Sequence, residues 1–256
     1  MITGQNVVGN PYAPETIDPQ VVKIAQNAAH YAVQKPDEVT DLVDFKQPEI
    51  SDTDLKAPIY IDFGPTSLSA TPWNNITSHQ ESSTTSWIKD VENNYTNIGV
   101  RVLDGFTATH AGVGSEPASP VTVDGVEFPL TAWKDGLLVK GEKNQGDVGP
   151  GRIEISQLDV ARKYNFTILA IRFNGSKDAR ISSYKLVGKT ESAVKEVKTG
   201  IKDAASFAAA NFEEYIAKFE NVEPDSEGKV IVEVKGLDTG SAAEGHINAL
   251  CISLAK

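Results

Sequence analysis

The chain has 256 residues, of which 24 are basic and 35 acidic, for a net charge of −11. At roughly 100–200 residues per domain, this length fits one large domain or two small ones, and 40% hydrophobic residues supply a real core. The charge repels phosphate backbones and so argues against a nucleic-acid binder. No apolar run approaches the ~18 residues that span a bilayer, so no membrane segment is expected.

Residues 1–56 differ from the rest. They hold five prolines, nine acidic and four basic residues, and cannot build a core of their own. Residues 1–10 lack the basic and apolar regions of a secretory signal, so either a signal has been removed or, the favoured reading, the protein is made without that export route. One helix is expected here: Asp18 can cap it, Pro19 suits its first position and Pro36 ends it. Between them Val21, Ala25, Ala28 and Ala32 form a narrow seam of mostly small side chains that admits a close neighbour. The seam packs either on the chain's own C-terminal part or, as a docking arm, on a partner or sister subunit. Residues 36–56 read as an extended, acidic connector.

From Pro58 the pattern changes to short β runs divided by turn residues. Runs at 59–63, 98–103, 121–123, 126–130, 137–139 and 152–155 are bounded by pairs such as Gly64-Pro65, Asp104-Gly105 and Asp124-Gly125, the last a hairpin-type turn. The longest run, 164–173, is apolar on both faces in its second half, as in a central strand. Further runs follow at 181–187, 192–199, 214–222, 230–234 and 247–254, with a helical excursion at 204–210. Some ten short strands with frequent turns predict an all-β protein, an antiparallel β-sandwich of jelly-roll type over 57–256, preceded by the arm.

Chemistry-bearing motifs are sparse. His30, His79, His110 and His246 are scattered, with no His-Glu-x-x-His spacing. Cys251 is the single cysteine, set in an apolar run, and reads as a small buried hydrophobe. There is no Gly-x-Ser-x-Gly elbow and no phosphate loop. An enzyme is not expected, although 35 acidic residues leave a carboxylate pair possible by count alone.

The segments PIYIDFG (58–64), WNNIT (73–77), LDGFTAT (103–109), RIEISQLDVARKYNFTILAIRFNG (152–175), FENVEPDSEGKVIVEVKG (219–236) and GHINALCISL (245–254) together resemble a module of Bacteroidota glycan-associated secreted proteins. That module resembles the galactose-binding-like jelly rolls, and the likeness covers about 200 residues. It implies a β-sandwich with roles for particular residues. Pro224, Asp225 and Gly228 would form a turn, Trp73 would be buried, and the Asn248 amide would cap a neighbouring loop. Arg172 and Arg180 would either pair with Asp62 or Asp225 or meet a sugar hydroxyl. Glycan binding needs an aromatic plate with polar groups around it, and Trp87, Tyr95 and Trp133 are the candidates, with Arg172 and Arg180. No cofactor is expected. Jelly rolls of this shape hold structural calcium in some cases, for which Asp147 and Asp178 are isolated candidates.

The module normally accompanies an enzyme, whereas here an arm precedes it. This leads to the expectation of a non-catalytic structural or attachment protein on a phage virion surface, as a capsid decoration or fibre. Its arm would dock on capsid or sister subunits, its jelly roll would face outward to a host-surface glycan, and it would be homo-oligomeric. The alternative is an accessory carbohydrate-binding module of a secreted glycan-degrading protein, extracellular or at the cell surface.

Overall fold

The computed structural model describes residues 55–140, 150–173, 180–237 and 244–256. The expected docking seam, Val21, Ala25, Ala28 and Ala32, lies outside these residues, as do Asp147 and Asp178. The described part is an all-β sandwich. In chain order its strands are β1 (Ile59–Phe63), β2 (Trp73–Ile76), β3 (Thr84–Thr85), β4 (Gly99–Asp104), β5 (Ala108–His110), β6 (Val121–Val123) and β7 (Val126–Phe128). A short helix α1 (Leu130–Lys134) leads to β8 (Gly136–Lys140), β9 (Gly151–Ser156), β10 (Tyr164–Leu169), β11 (Arg172–Phe173), β12 (Ile181–Val187), β13 (Lys195–Lys198) and β14 (Gly200–Ile201). Helix α2 (Ala204–Ala208) and a 3₁₀ turn (Phe212–Tyr215) precede β15 (Ile216–Val222), β16 (Val230–Gly236), β17 (Glu244–Ile247) and β18 (Ala249–Leu254).

Two large sheets face each other. One has the order β15-β10-β18-β1-β2 and the other β13-β12-β16-β9-β4-β3, with a smaller sheet β17-β8-β5 beside them. Pairing is antiparallel except that β2 runs parallel to β1 and β14 parallel to β11. Strand alternation decides which side chain enters which layer. Ile59, Ile61, Phe63, Phe166, Ile168, Leu250 and Ile252 meet Val102, Ile153, Ile155, Leu186 and Val232 in the central core. On the outer face of the five-stranded sheet, Leu169, Ile171, Ala249 and Cys251 pack with Phe128, Trp133, Phe207 and Tyr215 in a second core. Burial on both faces explains why the sequence near 168–171 and 249–252 is apolar without alternation. Each fully buried Ile or Phe contributes roughly 1.5–3 kcal/mol.

Turn chemistry follows the sequence. Asp124 and Gly125 both take positive φ, +51° and +77°, in the β6–β7 hairpin. The Asp225 carboxylate accepts the amides of Glu227 and Lys229 at 2.8 and 2.9 Å, closing the Pro224–Gly228 turn. Asp203 caps α2 through the Ser206 amide, and the Asn211 side chain caps the 3₁₀ turn that replaces the start of the strand expected at 214–222. The run at 192–199 is strand only over Lys195–Lys198, and Leu130 belongs to α1 rather than to the strand before it. Strands β2, β3, β5 and β14, and all of β17 but Ile247, lie outside the expected runs; they are short, and β2 and β5 carry Asn and His at positions that a periodicity of apolar residues does not mark.

The run at 164–173 is divided, and so is the chain before 254. The agent is Asn248, fully buried between β17 and β18. Its Oδ1 accepts the Ile171 amide at 2.8 Å, and its Nδ2 donates to the carbonyls of Trp133 and Asp135 at 2.9 and 2.6 Å. Its backbone amide donates to Leu169 and its carbonyl accepts from Phe63. Asn248 therefore joins β1, β10, the β11 entry and the α1–β8 turn, which is the capping role expected of it on a larger scale. Replacing it by alanine strands one amide and two carbonyls. At about 1–3 kcal/mol for each buried unsatisfied group, Asn248→Ala should cost at least about 3 kcal/mol of unfolding free energy in a denaturant titration. A loss below about 1 kcal/mol would show that these groups find other partners.

Candidate functional site

The smaller sheet carries the polar residues. β5 ends at His110, opposite Gly136 of β8, and β17 places His246 opposite Leu138 on the other side of β8. The absent side chain at Gly136 makes room, since a Cβ there would stand 3.0 Å from His110 Nε2 and 3.2 Å from Asn248 Nδ2. Gly236 and Gly245 perform the same service for β17. A Cβ on Gly245 would meet the Gly236 amide nitrogen at 2.6 Å. The two imidazoles meet edge to face with centroids 5.0 Å apart, both buried.

Two arginines reach this pair from separate segments. Thr199 holds them side by side: its amide donates to the Arg180 carbonyl, and its carbonyl accepts from the Arg172 amide. Arg172 Nη1 lies 3.1 Å from His110 Nδ1 and donates to the Ala111 carbonyl at 3.0 Å. A guanidinium only donates, so His110 Nδ1 is the acceptor and its proton sits on Nε2. The Asn248 amide nitrogen, 3.5 Å from that Nε2, is thus a contact between two donors. Arg180, with only 5% of its side chain exposed, lies 3.1 Å from Glu244 Oε2, and His246 Nε2 is 3.7 Å from the same oxygen. Arg172 Nε, Arg180 Nε and Nη1, Thr199 Oγ1 and both ring nitrogens of His246 are buried without a hydrogen-bond partner, so Arg180 meets Glu244 as an ion pair and not as a hydrogen bond.

The electrostatics keep both histidines neutral. Burial, then the charge of its neighbours, pushes His110 well below the ordinary histidine value. Burial carries His246 down to about 4, against the pull of Glu244. The nearby His246 ring and the Arg180 charge hold Glu244 ionised, down to about 2. Burial and the Arg180 charge also penalise the Arg172 guanidinium.

A second buried pair lies on the outer face of the five-stranded sheet. Asp62 Oδ2 accepts the Ser69 amide at 3.0 Å, and Asp135 Oδ2 accepts the amides of Thr66 and Ser67 and the Thr66 hydroxyl. Each carboxylate keeps one buried oxygen without a partner. Burial raises Asp62 to about 7, with the Ser69 hydrogen bond opposing and the Asp135 charge assisting.

The sequence candidates are placed as follows. Arg172 and Arg180 come together, but not on Asp62 or Asp225: their partners are His110 and Glu244. Trp133 is fully buried, stacked on Phe207 at 5.0 Å with its Nε1–H directed to the Ser119 carbonyl, so its ring is core and offers no plate to a sugar. Trp87, half-buried, and Tyr95, 49% exposed with Lys89 Nζ over its ring, belong to the loop between β3 and β4. None of the contacts described for the arginine cluster involves them. Trp73 is half-buried against Tyr60 and Phe128. Cys251 is buried and its thiol pushed far up, as suits a core residue. His110, His246 and Glu244 escaped the sequence reading, because their proximity follows from strand pairing across β8 and not from spacing. Among the described residues no group of three or more His, Cys, Asp or Glu side chains could hold a metal ion, and no helix is long and apolar enough to cross a membrane.

The fold and these clusters define an all-β sandwich protein with a buried arginine–histidine site. No family model matches the sequence, and no curated protein matches it. Among solved structures, the chain is similar to the ANX2 ectodomain from Arabidopsis thaliana, at 8% identity over 68% of this chain and 48% of that one, with a TM-score of 0.42. It is also similar to the CBM36-1 domain of a multidomain xylanase from the hindgut metagenome of Trinervitermes trinervoides, at 14% identity over 55% and 90%, TM-score 0.30. A third is TmCBM61 in complex with β-1,4-galactotriose, at 13% identity over 47% and 71%, TM-score 0.28. The chain spans about half the length of the ANX2 ectodomain it matches. Function has to be read from the chain's own residues.

Two pH effects of opposite sign follow. His246 titrates near 6.5 unfolded and near 4 folded, so its contribution to stability is complete above pH 6.5 and is lost as pH falls towards 4. Melting temperatures of wild type should drop over that interval, and His246→Gln should drop less; parallel curves would exclude His246 as the source. Asp62 behaves inversely. Its folded value of about 7 lies above the ordinary 3.8, so its contribution is present at low pH and is lost as pH rises through 7. Asp62→Asn, neutral throughout, should raise the melting temperature relative to wild type more at pH 8 than at pH 5. Equal shifts at both would show that Asp62 does not titrate in this range.

Proposed function

We propose that the protein is a non-catalytic carbohydrate-binding β-sandwich of galactose-binding-like type, with its recognition site at Arg172, Arg180 and His110. The observation that carries this reading is the convergence of two guanidinium groups whose Nε donors have no hydrogen-bond partner among the described residues. A buried donor without an acceptor is costly, and a ligand rich in hydroxyl or carboxylate oxygens removes that cost. Arginine and neutral histidine around a polar ligand are the kind of groups that fix orientation in such sites.

Catalysis fits the same residues poorly. The neutral imidazoles have no serine or cysteine nucleophile among their described partners. The Asp62–Asp135 pair does bring together two carboxyl groups, Asp62 raised to about 7, and glycosidases use carboxyl pairs. Both side chains are fully buried, however, and Asp135 is held by the 66–67 backbone, so the pair secures a loop. Binding of external glycan implies an extracellular or cell-surface setting. The virion reading, with capsid or sister subunits as partners of the arm, remains a separate proposal with no observation in the fold to favour it.

The test is titration calorimetry or array binding against a panel of neutral and acidic oligosaccharides. Wild type should bind at least one. Arg172→Ala, with its fold checked by circular dichroism, should weaken that binding by about 10-fold to 100-fold, the range set by a charged hydrogen bond. Failure to bind any glycan, or equal binding by the variant, would overturn the reading.

A further inference from the structure

We infer that the sugar taken by this site bears a carboxylate, as a uronic acid does; the inference rests on the carbohydrate-binding reading above. It follows from the charges around the two arginines. Arg180 has its counterion in Glu244 at 3.1 Å. Arg172 has no carboxylate within ion-pair distance among the described residues. Its partners are the His110 ring and the Ala111 carbonyl, both uncharged. Glu244 and then Glu116 attract it only from a distance; Glu244 is paired with Arg180, and the Glu116 carboxylate is already engaged by the backbone amides of Val113 and Gly114. A partly buried cation beside a second cation is expensive to maintain unless an anion joins it.

The geometry specifies the anion further. Nη1 of Arg172 is committed to His110 and Ala111, and this contact orients the guanidinium plane. The Arg172 Nε is left buried without a hydrogen-bond partner among the described residues. Two parallel N–H groups on one edge match the two oxygens of a carboxylate, which a single hydroxyl cannot do. The chain as a whole carries a net charge of −11 and repels acidic polymers at long range, so such a ligand would bind through this local pairing and not through a general field.

The experiment measures binding of oligogalacturonate, oligomannuronate and a glucuronate-containing oligosaccharide, each beside its carboxyl-reduced neutral counterpart, with a sulfated carrageenan oligosaccharide as a further arm. At least one uronate should bind about tenfold or more tighter than its reduced form. Arg172→Lys, which keeps the charge but loses the fork, should abolish that preference. Arg152→Ala, which removes an arginine paired with Asp104, should leave it unchanged. Reduced oligosaccharides binding as well as the acids would overturn the carboxylate assignment while leaving the carbohydrate reading standing. Preference for the sulfated arm would overturn it too. Absence of binding to acidic and neutral sugars alike would overturn both.

Discussion

The side-chain amide of Asn248 is the interaction on which the architecture depends. Where β17 passes into β18, the chain leaves one sheet and enters another. Such a corner exposes backbone groups that neither sheet can pair, and in a dry core they cannot turn to water. The one amide supplies an acceptor to Ile171 and a donor to Trp133 and Asp135. It thereby ends β10, starts β8 and fixes where β11 departs. Apolar packing supplies most of the stabilisation, but it is not directional; the hydrogen bonds of Asn248 decide which strands meet at this corner.

The polar site is a consequence of the same corner. β8 must begin next to Asn248, and the strands on either side of it then bring His110 and His246 together across Gly136. Once the histidines are buried they become neutral, because a charged imidazole would lose its hydration without an adequate counterion. Glu244 serves Arg180 and draws His246 only weakly. The result is an uneven arrangement: one arginine compensated, the other held by neutral acceptors.

The two buried clusters thus differ in kind. Asp62 and Asp135 are wrapped by the backbone of 66–69, and burial, assisted by the Asp135 charge, raises Asp62 to about 7. They hold a loop against the outer face of a sheet, each with one buried oxygen left unpartnered. The arginine cluster has no proton to take up, since a guanidinium does not titrate in the accessible range.

The sequence by itself determined the class of the fold, most strand positions and several turns. These are local matters: alternation of apolar residues, the Asp124-Gly125 hairpin and the Asp225 turn are set by neighbours in the chain. It also marked Arg172 and Arg180 as candidates and Asn248 as a buried cap, through short motifs rather than through periodicity. Only the tertiary structure decided what these residues touch. Trp133 reads as an available ring until the second core is seen to cover it, and β1 gives no sign that β2 will lie parallel to it. His110, His246 and Glu244 become one cluster because β5 and β17 pair with β8 from opposite sides. Pairing between distant strands is chosen by the closure of the whole core, so the partner of a side chain is a property of the assembled sheets and not of the residues beside it in the chain.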